Sequence, residues 1–343
     1  MKKLVNSIKE FVVGLIQKYE NLGYKVKKKI KFIIGRIFLY YVLIELAYLF
    51  ILPFIYIFTT ALMSSQDYMD PTVQYIPTHI NWENFSKAWM GLDIVAVNPS
   101  VSTEAADLAL SDYYSTLLNT VILSLGSAIL QSLTCALIGY SLGRFRFRGR
   151  ILIMFFVILI LLIPPQTLIT SSFFMWSQMG MAEGFYAILI PTIFGHGLRG
   201  ALFILIYMYF FQRIPDVMDD AARIDGAGPI RVFGQIMFPL VKSALTIVFI
   251  FSFVWHWNDN QETLTYTYLP QHNTLQESLS KILSNYLQEL GYDSGGAVSD
   301  ALKATAEPVL FAGCLMVMLP VLIVYVLGQK RLVAGIERIG VIE

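Results

Sequence analysis

The 343-residue sequence carries 25 Lys and Arg against 24 Asp and Glu, a formal charge of +1, yet only 14% of it is charged and 56% is hydrophobic. Soluble domains are about one-quarter charged, so the apolar excess has to face lipid, and a disordered chain, a disulfide-stapled secreted domain or a free nucleic-acid binder fits poorly. Cys135 and Cys314 lie inside apolar stretches, where neither a disulfide nor a Cys-based metal site is expected.

In chain order, residues 1–36 hold ten Lys and Arg. Two readings stand for this segment: a helix lying on anionic headgroups and a solvated basic tail. The apolar stretch that follows is too long for a signal core and is expected to stay as an anchor. Six apolar stretches reach or approach the roughly 20 residues needed to span a bilayer: 37–62, 117–142, 151–170, 186–211, 241–257 and 308–328. Only the fifth is short, with Lys242 placed to snorkel at one end and Trp255 and Trp257 at the other.

Basic residues give the orientation. Beyond the ten before the first span, four fall between the second and third (Arg144, Arg146, Arg148, Arg150), four between the fourth and fifth, and three in the tail at 329–343. The opposite connections hold Lys87, Lys281 and Lys303, so both termini are expected to be cytoplasmic. The long outer connections, 63–116 and 258–307, exceed ordinary loop lengths. They read either as a solvated acidic face or as a docking surface. The fold class expected is all-α and polytopic, with six spans, a first helix at 37–62 and a core at 117–328.

The connection at 214–240 reads IPDVMDDAARIDGAGPIRVFGQIMFPL. Pro215 suits a first helical turn, Asp216, Asp219 and Asp220 follow near the positive end of the dipole, and Ala221 and Ala222 permit close approach. Gly226 and Gly228 stop the helix and Pro229 opens another. A short helix, a glycine turn and a second short helix make a knob for a soluble partner.

Asp220-Ala221-Ala222, then Gly226 after three residues, Ile236 after nine more and Phe238-Pro239 resemble the EAA loop of the permease subunits of bacterial ABC importers. Asp stands for the usual Glu and Phe for Leu. Leu118-Asn119-Thr120, the run 140–147, Ile163-Pro164-Pro165, Trp257-Asn258-Asp259 and Val333-Ala334-Gly335 are similar to the carbohydrate-uptake branch, of the maltose-importer second-permease type. The resemblance implies a MetI-like fold and a non-catalytic subunit of the bacterial cytoplasmic membrane. It implies as partners a second homologous permease, two ATPase subunits, an extracellular solute-binding lipoprotein and a sugar, with no nucleic acid. It further implies that Asp219, Asp220, Ala221, Ala222, Gly226 and Pro239 couple to the ATPase.

The sequence has no GxxxxGK[ST] phosphate loop, so ATP and Mg are expected in the partner ATPase and no cofactor in this chain. Arg199, among Gly195, Gly197 and Gly200, reads either as a residue lining the solute path or as a structural cation, with Glu45 a candidate partner in type. Asn258 and Asp259 read either as solute-path residues or as capping side chains. His196 and His256 are not at metal-ligand spacing. An importer for a non-sugar solute, such as a glycerol phosphate or a peptide, and a secondary transporter are the alternative functions.

Overall fold

The computed structural model describes residues 23–97, 113–197, 199–224, 226–267, 269–289 and 300–340. Most of the basic segment 1–36 lies outside these, as do Asp225 and the inner parts of both long outer connections. The chain divides after Thr59 into two compact units. The first is dominated by α1 (Tyr24–Ala61), a helix apolar all round whose membrane-length window has no buried residue. Such a helix is stable only with lipid or another chain around it.

The second unit begins with α2 (Ser65–Met69), α3 (Glu83–Gly91) and a two-residue antiparallel ladder, β1 (Ala96–Val97) on β2 (Tyr113–Tyr114). Asp67 organises the loop after α2, its carboxylate accepting from the backbone N–H groups of Thr78 and His79, each at 3.0 Å. The central strut is α4 (Thr116–Arg144). Its exposed face repeats Leu118, Ile122, Leu125, Ile129, Leu133 and Leu137, while Thr120, Ser124, Ser127, Gln131 and Ser132 are buried. This inverts the pattern of a soluble helix. Lipid takes the large side chains, and small or polar ones let backbones approach. Gly139 shows the gain: a Cβ there would fall 2.6 Å from Tyr207 Cβ and 2.9 Å from the Met208 nitrogen.

The third expected span, 151–170, is not continuous. It is α5 (Arg150–Leu162) followed by α6 (Pro165–Gln178) at 103°, because Pro164 and Pro165 break the hydrogen-bond ladder after Ile163. The fourth, 186–211, is likewise split into α7 (Tyr186–Ile193) and α8 (Gly200–Gln212). Next come α9 (Val217–Ile224), α10 (Pro229–Val232), a π-helical turn (Phe233–Met237) and α11 (Phe238–Leu240). The run from Pro229 to Leu240 meets α12 (Lys242–Trp257) at 81°. Beyond α12 lie α13 (Gln261–Tyr266), a 3-10 turn at Pro270–His272, α14 (Leu275–Glu289) and α15 (Asp300–Gly340).

Among the described residues, three helices are individually long and apolar enough to cross a bilayer, and five if each bent pair counts as one, with α8 a shorter apolar helix. Trp257, at the end of α12, points into the bundle. It is 1% exposed and donates its indole N–H to the Val317 carbonyl at 3.0 Å, pinning α12 to α15. The α4–α8–α12 core holds Phe203, Tyr207 and Phe211, and a second cluster joins Trp257 to Ile282, Val309 and Ala312.

Candidate functional site

Two features position the candidate residues. The first is the hairpin at 214–240. After α8 ends at Gln212, the Phe211 carbonyl accepts from the Ile214 N–H at 3.3 Å, while the Ile214 carbonyl just past the helix end looks to a side chain. Arg144, the last residue of α4, supplies one: its Nη1 donates to the Ile214 carbonyl at 2.6 Å and lies 3.5 Å from that of Phe211. The same guanidinium grips α9, with Nε donating to Asp219 Oδ2 at 2.7 Å, Nη2 2.6 Å from that oxygen, and Nη1 3.0 Å from Asp216 Oδ1. The Arg144 and Asp219 side chains are only 5% and 10% exposed, whereas Asp216 is 89% exposed. The Arg144–Asp219 pair is therefore a buried latch, and the Asp216 contact is a screened surface pair of little weight.

This latch sorts the six expected coupling residues. Asp219 and Ala222 face inward, the first held by Arg144 and the second buried. Asp219 thus has an internal partner, whereas Asp220 and Ala221 are exposed. Gly226 takes φ +78 with nothing within 4 Å of a would-be Cβ, and the Ala227 N–H closes back on the Ala222 carbonyl at 3.0 Å. Only glycine enters that left-handed turn cheaply. Val217, Ile224 and Ile230 stand out on the hairpin at 73%, 86% and 88% exposure. Pro239 lies in α11, at the elbow into α12, downstream of the π-helical turn.

The second feature is the break between α7 and α8. Gly195 and Gly197 have positive φ, as does Arg199 at +61. Polar side chains of α4 satisfy the freed backbone: Thr134 Oγ1 donates to the Thr192 carbonyl at 2.8 Å, and Gln131 Nε2 to that of His196 at 3.3 Å. Gln131 in turn accepts from Ser252 Oγ at 2.6 Å, and His256 Nδ1 lies 2.8 Å from the Ser252 carbonyl. A non-helical backbone inside an apolar bundle is tolerated because neighbouring side chains take over its hydrogen bonds. Arg199 emerges from the break with its guanidinium over the Trp255 ring, 5.6 Å from the centroid.

Of the three expected path residues, Arg199 lines a cavity of about 670 Å³ bounded by α5, α6, α7, the break and α13. Asn258 and Asp259 do not line it; both act as caps. Asn258 Nδ2 donates to the Val254 carbonyl at 2.9 Å, and Asp259 Oδ2 accepts from the backbone N–H groups of Glu262 and Thr263, each at 3.1 Å. Glu262, which Asp259 positions, lines the cavity instead. Burial, and then the neighbouring Asp259, push its carboxyl up to about 7. Sequence reasoning missed Arg144 and Glu262. The signals were present, an arginine closing a long apolar run and an acid soon after the Trp257-Asn258-Asp259 run, but neither shows where its side chain goes. Among the described residues no cluster of three His, Cys, Asp or Glu is arranged for a metal.

Residues 135–338 match the family described as binding-protein-dependent transport system inner membrane component. The chain is similar to the maltodextrin transport system permease protein MdxG of Bacillus subtilis, 27% identical over 223 residues, which cover 65% of this chain and 73% of the relative. It is also similar to the diacetylchitobiose uptake system permease protein NgcG of Streptomyces coelicolor, 25% identical over 288 residues, covering 84% and 83%. Its fold matches a chain in the crystal structure of a bacterial ABC transporter involved in the import of the acidic polysaccharide alginate, with a TM-score of 0.66 and 20% identity over 90% of this chain and 99% of that one.

Proposed function

The chain belongs to the family of inner membrane components of binding-protein-dependent transport systems, and on that premise we propose that it is the sugar-importing permease subunit of an ATP-binding cassette transporter. It pairs with a second permease and takes energy from two ATPase subunits that bind ATP and Mg. An extracellular binding protein delivers a neutral oligosaccharide. Both termini and the hairpin face the cytoplasm, a reading supported by the bias of Lys and Arg toward those segments.

The observation that carries the proposal is the hairpin's two-sidedness. One side is latched to α4 through Asp219 and Arg144, and the other offers Asp220, Ala221, Ile224 and Ile230 to a partner. Large exposed apolar side chains beside an acid are an interface composition, and they sit outside the apolar spans. Closure of the ATPase pair around this knob would push on the end of α4, and through the 81° elbow at Val241, just after Pro239, on α12. Because α4 packs against both α8 and α12, displacement of the hairpin becomes a rigid-body movement of the core. Arg199, on the broken backbone between α7 and α8, stands in the solute path in this reading.

The test is co-purification of the chain with its partner permease and ATPase, followed by ATP hydrolysis with sugar-loaded binding protein. Asp220→Arg and Ile230→Asp should each strip the ATPase from the complex and abolish sugar-stimulated hydrolysis. Unchanged assembly and stimulation in both variants would overturn the docking assignment.

A further inference from the structure

The cavity of about 670 Å³ has mostly apolar walls, with Met175, Trp176 and Ile188 among them. Five polar side chains reach the same space from three separate elements: Ser172 from α6, His196 and Arg199 from the α7–α8 break, Glu262 and Tyr266 from α13. Trp176 and Tyr266 are held firmly, at 8% and 3% exposure, in a cluster with Ala187 and Ile188. Neither Arg199 nor Glu262 has an ion pair or side-chain hydrogen bond among the described residues.

A charged group on an apolar wall needs a polar counterpart, because leaving it dry and unpaired is costly. An apolar helix filling the cavity would leave the Glu262 carboxyl unpaired and Arg199 with the Trp255 ring as its partner. A sugar ring would not: it presents C–H faces to aromatic walls and hydroxyls to a carboxyl and a guanidinium, the mixture of apolar walls and a few placed polar groups typical of small-ligand sites. Arg199 is the one Lys or Arg among the described lining residues and the Glu262 carboxyl adds no second cation, which favours a neutral ligand over a phosphorylated one.

The geometry points to this cavity as a solute-contact site for a ring of a neutral oligosaccharide, with Trp176 and Tyr266 as apolar platforms and Glu262 and Arg199 as hydroxyl-binding groups. The inference rests on the sugar-import reading and adds to it a location and two residues, Glu262 and Tyr266, outside the coupling machinery. Asp259 is a positioning residue here, since it holds the first turn of α13 through the Glu262 and Thr263 N–H groups.

The experiment uses the whole transporter in liposomes with its binding protein, tested with maltotriose, raffinose and sn-glycerol 3-phosphate. For the sugar that drives the wild type, Glu262→Leu and Tyr266→Leu should lower uptake per assembled complex by about tenfold, the loss of roughly one good contact. Glu262→Gln, which keeps size and hydrogen bonding, should lose less and guards against misfolding. In a Cys314→Ser background, Glu262→Cys should react with a maleimide and be protected by that sugar. Wild-type uptake in both leucine variants overturns the site, as does labelling that sugar leaves unchanged even where uptake falls. A wild-type transporter driven only by sn-glycerol 3-phosphate overturns the sugar reading itself, a failure visible without any variant.

Discussion

The hairpin at 214–240 and the cavity wall around the α7–α8 break solve opposite problems. The hairpin places exposed residues on a short local motif and fixes it through one distant side chain, Arg144, whose buried ion pair is with Asp219. The wall keeps polar groups inside an apolar bundle and needs a chain of non-local hydrogen bonds, from His196 through Gln131 to Ser252 on α12. On its outer side the hairpin has open space: Ile224 and Ile230 are exposed and Gly226 and Gly234 have no neighbour within 4 Å of an added Cβ. The wall cannot change one partner without orphaning another.

Cutting the latch should have the largest effect. Arg144→Met leaves the buried Asp219 carboxylate unpaired and the Ile214 carbonyl uncapped, a loss of about 3–5 kcal/mol. The purified complex should melt at lower temperature and lose its ATPase, and combining Arg144→Asp with Asp219→Arg should restore part of both. If Arg144→Met melts like the wild type, the hairpin does not depend on a distant residue and the contrast collapses.

The wall should respond next. Gln131→Leu removes the donor to the His196 carbonyl and the acceptor of the Ser252 hydroxyl, costing about 1–3 kcal/mol for buried groups left unsatisfied. Adding Ser252→Ala should give back part of that loss, because it removes one of the orphans. Strict additivity of the two changes in melting temperature would show that no network exists.

The smallest effect belongs to the glycine turn. Gly226→Ala meets no steric obstacle, since nothing lies within 4 Å of the added Cβ, but it keeps φ at +78. The cost should be about 1–2 kcal/mol of backbone strain, read as a small drop in melting temperature and weaker ATPase retention than in wild type. Gly234 also faces open space but sits inside the π-helical turn, outside the left-handed region, so Gly234→Ala serves as the neutral comparison in the same assay.

The hairpin is legible in the sequence because its signals are local. Pro215, the acids, the two alanines and Gly226 each act within a turn or two of chain. What stayed hidden was which acid faces inward. Asp219 and Asp220 are adjacent and alike in type, and only the approach of Arg144 from 75 residues earlier separates the buried one from the exposed one. The cavity was less legible. Arg199 stood out because charge is rare in an apolar run, whereas Asn258 and Asp259 read either as path residues or as caps, and in the fold both make capping hydrogen bonds. Glu262 carried no comparable signal: an acid in a polar connection looks solvated until the fold turns α13 against α6 and α7.

By itself the sequence determined the class of the protein, because hydropathy over about 20 residues and the distribution of Lys and Arg act through the bilayer, which needs no tertiary contact to select them. It determined the hairpin motif as well. The tertiary structure decided where the spans break, which acids face inward and which polar groups converge on one cavity. Those depend on the distance between side chains far apart in the chain. At the α7–α8 break, glycines permit the turn, but Gln131 and Thr134 from α4 are what satisfy its backbone.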